Sequence, residues 1–189
     1  MSRLTRDDIV IASGKRFATH GYHGTSMRDL GDDLGILGSS IYSHVGGKQE
    51  LLVAVVERAS DLFSASAEAA LSAETDPSET LRLLISGHID VLVDHSSEAR
   101  TFLAEADFVE DPDRRRITKM RNAYEMVFRT TIQRGIDDGT FRADVDATLS
   151  GIYVLSMLNA IQRWYTPRGR LSRSELAVDM HRFIVEGLT

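Results

Sequence analysis

Residues 21–52 read GYHGTSMRDLGDDLGILGSSIYSHVGGKQELL, and this stretch decides the fold. Two short segments with helical spacing of apolar residues flank Gly35, and a longer one begins after Gly46-Gly47. Thr25 or Ser26 is a suitable N-cap for the first segment, and glycine is favoured just past a helix end. The stretch predicts two short helices joined by a tight turn, followed by a long helix.

Two helices joined in this way form a helix-turn-helix when the second one presents its side chains to the major groove of DNA. The spacing turns Leu30 and Ile41 toward a core and leaves only residues able to form hydrogen bonds on the outer face of the second helix. These residues are Ser39, Ser40, Tyr42, Ser43 and His44. The same spacing also fits a helical hairpin of a bundle whose polar side faces water, and it does not decide between the two.

The charge distribution permits a nucleic-acid interface near the N-terminus. The chain has a net charge of −6, but residues 1–50 contain six basic and six acidic side chains. All of the excess negative charge therefore lies beyond residue 50. A neutral segment can carry a local anion-binding face, although interleaved charges on a solvated surface give the same count.

The rest of the chain has helical periodicity, and we expect an all-α fold of about nine helices. No stretch alternates with the period of a strand, and the three prolines fall at breaks between apolar segments. After the first helix (about 5–20) and the helix-turn-helix, helices are predicted at 48–73, 77–94, 97–109, 112–138, 145–164 and 172–188. We divide the chain into a helix-turn-helix domain (1–47) and a helical effector-binding and dimerisation domain (48–189).

Composition narrows the chemistry. The chain has no Cys, so disulfides and thiolate zinc sites are excluded, and it has no apolar run long enough to span a membrane. We expect a soluble, cytoplasmic protein. No catalytic motif of the G-x-S-x-G, P-loop or H-E-x-x-H type occurs, so we expect neither an enzyme nor a bound cofactor or metal. The cluster of His88, His95, Asp90 and Asp94 is expected to be a solvated surface.

The quoted stretch resembles the N-terminal DNA-binding domain of TetR-type transcriptional regulators, without a gap over its whole length. The family pattern is G-Y-x-x-T-[ST]-[VM]-R-D-[IL]-A-x-x-A-G-V-S-x-G-[ST]-[LI]-Y-x-H-F-x-x-K-x-x-L-[LF]. The resemblance implies a ligand-responsive regulator of transcription, usually a repressor. It also implies contacts to DNA backbone and nearby bases, to base edges, and to phosphates. The residues at these positions are, in that order, Thr25, Ser26 and Arg28; Ser39 and Ser40; and Tyr42, His44 and Lys48.

One departure from the family pattern motivates an alternative. Leu37-Gly38 stands where the family often has Ser-Lys, so a helix cap and a basic side chain are both lost. A dimeric helical binding or scaffold protein with weakened DNA binding is the alternative that this loss suggests.

The resemblance also implies a homodimer formed through the last two helices. The segment 145–164 is apolar on more than one face, which is typical of a helix buried on both sides. A central core helix would give the same pattern.

The family places an effector cavity within the helical bundle, and the helices 97–109 and 112–138 are its expected walls. They carry aromatic residues and Met at helical spacing, which is also typical of an ordinary core. Arginines gather around Trp164 near the start of the last helix, and R-W-Y-x-P-x-G-x-L-S resembles regulators that respond to acyl-coenzyme A. We predict an apolar effector, with acyl-coenzyme A as the candidate. Its predicted contacts are Phe102, Phe108, Met120, Tyr124, Phe128, Arg163 and Trp164.

Overall fold

The computed structural model describes residues 4–189, and within this range the chain folds into nine α-helices and no strand. The all-α fold predicted from the sequence is confirmed. The helices are α1 (Arg6–His20), α2 (Met27–Leu34), α3 (Gly38–Ile41), α4 (Lys48–Leu71), α5 (Pro77–Asp94), α6 (Ser96–Glu105), α7 (Asp113–Asp137), α8 (Ala147–Trp164) and α9 (Arg173–Leu188), with a 3₁₀ turn at Ala106–Phe108. Among the described helices, none combines the length and the hydropathy that a membrane span requires.

Local capping fixes the first two helices where the sequence predicts them. The hydroxyl of Thr5 accepts a hydrogen bond from Asp8 N while the Asp8 carboxylate accepts one from Thr5 N, a reciprocal capping box. Ser26 and Asp29 form the same box at the start of α2. At the other end of α2, Gly35 takes a left-handed conformation with φ 68°, which costs glycine little because it has no Cβ.

The helix after Gly35 ends earlier than expected, because it was predicted to continue up to Gly46-Gly47. The α-helical part is Gly38–Ile41, and Leu37 before it gives no side-chain cap. Past Ile41 the hydrogen bonding is irregular, since Ser43 N donates to Ser40 O at 3.3 Å and His44 N donates to Ile41 O at 2.9 Å, while Val45 N also donates to Ile41 O at 3.2 Å. Hydrogen bonds of the i→i+3 type end a helix early, so Tyr42 and His44 lie in turns.

The chain forms two compact units, each built from two separate segments. Unit 1 combines the described chain up to Asp61 with His95–Lys119, and unit 2 combines Leu62–Asp94 with Met120–Thr189. The proposed boundary between residues 47 and 48 follows the chain order, whereas these units follow the packing. Helix α6 therefore packs with α1 inside unit 1.

Each unit has its own apolar core. In unit 1 the fully buried side chains include Ile9, Phe17, Leu30, Ile41, Leu51 and Leu52. In unit 2, α5 packs against α8 and α9, and the buried side chains include Leu81, Ile85, Ile89, Phe128, Leu158 and Ile184. Burial of this kind supplies the main stabilisation of a helical fold.

Candidate nucleic-acid interface

The turn between α2 and α3 brings two backbones unusually close together. Ile36 N donates to Gly31 O at 2.9 Å. A Cβ on Gly31 would lie 2.6 Å from Gly38 N, and a Cβ on Gly38 would lie 2.8 Å from Met27 O. Both glycines are therefore required by the approach of α3 to α2, which explains why Gly38 stands at the otherwise poorly capped start of α3.

The outward face of α3 is polar and accessible. Ser39, Ser40 and Tyr42 are exposed, His44 is half-buried, and Ile41 between them is fully buried. Within residues 4–189, the hydroxyls of Ser39 and Ser40 form no hydrogen bond, so both remain able to donate or accept. The arrangement holds a row of hydrogen-bonding side chains on a face fixed by one core residue.

The start of α2 carries two more of the predicted DNA contacts, Ser26 and Arg28. The Ser26 hydroxyl donates to the Asp29 carboxylate at 2.7 Å, and this hydrogen bond lowers the pKa of Asp29 below its ordinary value. Arg28 is exposed and forms no ion pair with any described residue, so its guanidinium is available to an external anion.

Thr25 and Lys48 have their polar atoms directed at the loop between α1 and α2. The Thr25 side chain is only 2% exposed, and its hydroxyl donates to Gly21 O at 2.9 Å. Lys48 Nζ donates to Tyr22 O at 2.9 Å and to Thr25 O at 2.8 Å, and it lies 4.3 Å from the centroid of the Tyr22 ring. An ammonium has three protons, so one remains for a phosphate. Thr25 thus stabilises the loop, and its side chain has almost no surface for DNA.

The same loop is held from the other side by Glu105, Gln49 and Phe108, of which only Phe108 was predicted from the sequence to be functional, and then as an effector contact. Tyr22 N donates to the Glu105 carboxylate at 3.0 Å, and the Tyr22 hydroxyl donates to Gln49 Oε1 at 2.7 Å. The ring of Phe108 stacks on Tyr22 at 6.2 Å and meets His23 edge-on at 4.5 Å. No local motif signals these contacts, because Glu105 and Phe108 are about eighty residues away in the sequence.

Ion pairs neutralise acidic groups around the helix-turn-helix. Arg16 on α1 lies 3.0 Å from a carboxylate oxygen of Asp33 and 3.5 Å from one of Asp29, both on α2. Arg6 pairs with Glu50 at 3.0 Å. These pairs lower the repulsion that a DNA phosphate would meet, and they leave Arg28 as the exposed basic side chain of α2.

The residues predicted to contact an effector fall into both units. In unit 1, Phe102 is buried on α6, and Phe108 packs on Tyr22 and His23. In unit 2, Tyr124 and Phe128 are in edge-to-face contact at 5.5 Å on α7, and Met120 is half-buried one turn earlier. Arg163 and Trp164 lie exposed at the end of α8.

A buried polar pair, formed by His88 and Tyr124, occupies the interior of unit 2. His88 Nδ1 and the Tyr124 hydroxyl oxygen are 2.9 Å apart. The His88 ring lies 4.7 Å from the Phe63 ring, centroid to centroid. Burial lowers the pKa of His88 to about 3, against a smaller opposite effect of the Asn159 side chain. Burial also raises the pKa of Tyr124 above its ordinary value, so both side chains are neutral at pH 7.

The expectation that His88 belongs to a solvated surface is wrong, because the side chain is 2% exposed. Leu84, Ile85 and Leu92 precede and follow it at helical spacing and are also buried, and this periodicity was the signal for an inward position. Asp90 and Asp94 instead bind Arg173 of α9, at 3.2 and 2.6 Å. Among the described residues, no group of three or more His, Asp or Glu could hold a metal ion.

A tight turn between two helices, with a polar exposed face on the second, defines a DNA-binding protein of the helix-turn-helix class. The chain belongs to the TetR family of bacterial transcriptional regulators. Residues 9–55 match the family model described as "Bacterial regulatory proteins, tetR family", and residues 74–188 match "Tetracyclin repressor-like, C-terminal domain". The protein is a DNA-binding transcriptional regulator, in a family of regulators rather than of enzymes.

Similar proteins extend over nearly the whole chain. The HTH-type transcriptional repressor KstR2 of Mycolicibacterium smegmatis is 25% identical over 185 residues, which cover 97% of this chain and 90% of that protein. The structure of the TetR family regulator PfmR from Thermus thermophilus is 33% identical, covers 96% of this chain and 98% of that one, and has a TM-score of 0.87. AibR in complex with isovaleryl coenzyme A and operator DNA is 25% identical, with 94% and 96% coverage and a TM-score of 0.86.

Proposed function

We propose that this regulator is a homodimeric repressor that leaves its operator when an apolar acyl-coenzyme A thioester binds. The observation that carries the DNA-binding part is the α2–turn–α3 arrangement, in which buried Leu30 and Ile41 fix a face of exposed polar side chains. Regulators of the family bind operator DNA and dimerise.

On the DNA side, Ser39 and Ser40 contact base edges, since their hydroxyls both donate and accept hydrogen bonds. Tyr42, His44, Ser26 and Arg28 contact phosphates or neighbouring bases on either side of α3. Lys48 reaches a phosphate with its remaining proton while its other two hold the loop. Thr25 belongs to the interface through the loop that it stabilises.

The close contact between Gly31 and Gly38 supports DNA reading over the alternative of a scaffold protein with weakened DNA binding. The basic residue lost before α3 is replaced by a glycine that the packing of α3 on α2 requires. The geometry of the helix-turn-helix is thus retained at Gly38, although the basic residue of the family pattern is absent there.

Exposed apolar side chains on α8 and α9 support dimerisation through these helices. Within the described chain, large apolar residues of both helices remain accessible, and Phe183 is 65% exposed. The others are Leu149, Ile152, Tyr153, Trp164 and Val178. Apolar surface of this extent is characteristic of a protein–protein interface, and a two-fold dimer covers the same face on both copies.

The effector class is inferred from AibR, whose structure contains isovaleryl coenzyme A, and from the side chains at the end of α8. Arg163, Arg168 and Arg170 are exposed and lie within six residues of the exposed Trp164 along the chain. Guanidinium groups bind phosphates through paired hydrogen bonds, and an indole stacks on a nucleotide base. Effector binding releases DNA only if the effector binds more tightly to the DNA-free arrangement of the dimer.

The test is fluorescence anisotropy on an operator duplex selected from a random-sequence pool. Decanoyl-coenzyme A is titrated into the complex, with free coenzyme A and decanoate as matched controls. We expect release by decanoyl-coenzyme A alone, and analytical ultracentrifugation should show a dimer. An operator complex unaffected by a saturating thioester would contradict the proposed effector class, and a monomer would contradict the proposed dimer.

A further inference from the structure

Leu37, in the turn just before α3, is an apolar side chain beside the residues proposed to contact bases. It is 74% exposed, the highest value among the large apolar side chains of the described chain. It forms no hydrogen bond that caps α3, whereas Ser, Thr, Asp or Asn at such a position stabilises a helix. Stability therefore gives no reason for a leucine here, since the side chain neither fills a core nor caps a helix.

The backbone on both sides of Leu37 packs against α2. A Cβ on Gly31 would lie 2.8 Å from Ile36 O and 2.6 Å from Gly38 N. These two atoms belong to the peptide groups that flank Leu37. In addition, Ile36 N donates to Gly31 O at 2.9 Å, and Leu37 O accepts from Ser40 N at 2.8 Å. These contacts fix the backbone of Leu37 and leave its side chain in solvent.

The position of Leu37 places it among the predicted DNA contacts. Ser39 and Ser40 follow two and three residues later, and both are exposed. A Cβ on Gly38 would lie 3.0 Å from the Cα of Arg28, so the turn adjoins the part of α2 that carries this exposed arginine. A major groove that meets these side chains comes within reach of Leu37.

The major groove offers one kind of apolar group, which is the C5 methyl of thymine. The other groups that base pairs present there are hydrogen-bond donors and acceptors, and a leucine side chain can pair with neither. Contact between the leucine and a methyl group removes apolar surface of both partners from water, which is favourable. The chemistry of Leu37 thus matches thymine and no other base of unmodified DNA.

We propose that Leu37 is a specificity-determining residue that contacts the C5 methyl of a thymine in the operator. This inference rests on the proposed function. It adds a base preference that the serines alone do not supply, because a hydroxyl pairs with a donor as well as with an acceptor. The leucine takes the place of a helix cap, so some stability is lost and selection of thymine is gained.

The probe is the selected operator with deoxyuridine in place of one thymine at a time, which removes the methyl and leaves base pairing intact. Fluorescence anisotropy should show that replacement at one position weakens binding by the parent protein about fourfold, the value of burying one methyl group. Leu37→Ala should bind that duplex and the unmodified operator within about 1.5-fold of each other. Leu37→Ser should do the same and be at least as stable as the parent protein in thermal unfolding, because a cap is restored.

The matched control is Leu71→Ala, which truncates an exposed leucine in unit 2 and should keep the loss of about fourfold. If no deoxyuridine replacement weakened binding by the parent protein, no thymine methyl would be contacted and the inference would be overturned. An effect that persisted undiminished in both Leu37 variants would also overturn it, since another side chain would then contact the methyl. If the parent protein did not prefer the selected operator to a scrambled duplex, the proposed reading of DNA would fail and the inference would fail with it.

Discussion

Replacing Gly38 by Ala tests whether the close approach of α3 to α2 sets the geometry of DNA reading. The added Cβ would lie 2.8 Å from Met27 O, 3.0 Å from Arg28 Cα and 3.1 Å from Met27 C. Favourable contacts between such atoms begin near about 3.5 Å. All three neighbours are backbone atoms of the first turn of α2, so relief requires α3 to move away by roughly half an ångström.

The expected cost combines two opposing effects. Overpacking of a close contact costs about 1–3 kcal/mol, and alanine regains up to about 1 kcal/mol over glycine within a helix. The net loss of about 1–2 kcal/mol should lower the midpoint of thermal unfolding by about 2–4 °C for each kcal/mol. Displacement of α3 by half an ångström would also stretch hydrogen bonds from Ser39 and Ser40 to bases toward the limit of useful geometry, about 3.5 Å.

We therefore expect the affinity of Gly38→Ala for the selected operator to fall at least about tenfold while its affinity for a scrambled duplex is nearly unchanged. Gly47→Ala is the matched control, because a Cβ there meets nothing within 4 Å and the backbone is not left-handed. That variant should be as stable as the parent protein and bind normally. If Gly38→Ala matched Gly47→Ala in stability and operator affinity, the close contact would not be what positions α3.

Three further predictions concern single side chains. Ser40→Ala should weaken operator binding by about 1 kcal/mol and relax the sequence preference at one base pair. The control variant Ser72→Ala, at an exposed hydroxyl far along the chain, should change neither. If the two variants bound alike, Ser40 would not be a residue that contacts bases. Lys48→Met should weaken binding to all duplexes and flatten the salt dependence by about one counterion, and an unchanged slope would limit Lys48 to holding the loop. Because the pKa of His88 is lowered to about 3, the imidazole binds a proton near pH 6.5 in the unfolded chain but stays neutral in the folded chain until about pH 3. The stability contributed by this group is therefore complete above about pH 6.5 and is lost toward pH 3. Between about pH 6 and 4, the free energy of unfolding in urea should fall with pH less steeply for His88→Phe than for the parent protein, by about 1.4 kcal/mol per pH unit. Parallel curves for the two proteins would contradict the burial of a neutral imidazole.

Features of the helix-turn-helix that depend on neighbouring residues could be predicted from the sequence. Ser26 and Asp29 are three residues apart, which suffices for a capping box, and Gly35 follows the last turn of α2. Leu30 and Ile41 share the helical spacing of a core position and are both fully buried. Spacing along one or two helical turns carries all of this information.

Features that depend on distant contacts could not be predicted in this way. The carbonyl groups that Lys48 binds belong to residues more than twenty positions earlier, so nothing near Lys48 in the sequence indicates that two of its protons are engaged. The packing of α6 with α1 in unit 1 rests on contacts such as Thr101 Oγ1 to Gly14 O, 87 residues apart. For His88, the nearby Asp90 and Asp94 suggested a wet surface, and their true partner on α9 is equally remote.

The ending of α3 shows a different limit. Gly46-Gly47 is a plausible helix stop, but the regular helix ends at Ile41, and hydrogen bonds of the i→i+3 and i→i+4 types are mixed between Leu37 and Val45. Ile41 and Val45 are both buried, so both hold this irregular segment against the core, and the spacing of apolar residues along the chain does not show where the regular helix ends.

The measurement that tests the central claim most directly is the affinity of the protein for the selected operator and for a scrambled duplex, from about 50 to about 200 mM salt. If α3 reads bases in a two-fold dimer, selection should enrich a two-fold symmetric sequence with half-sites about one helical turn apart. The operator should be preferred at least about a thousandfold, with both affinities falling steeply as salt rises. Equal affinity for the two duplexes at every salt concentration would contradict sequence reading by α3.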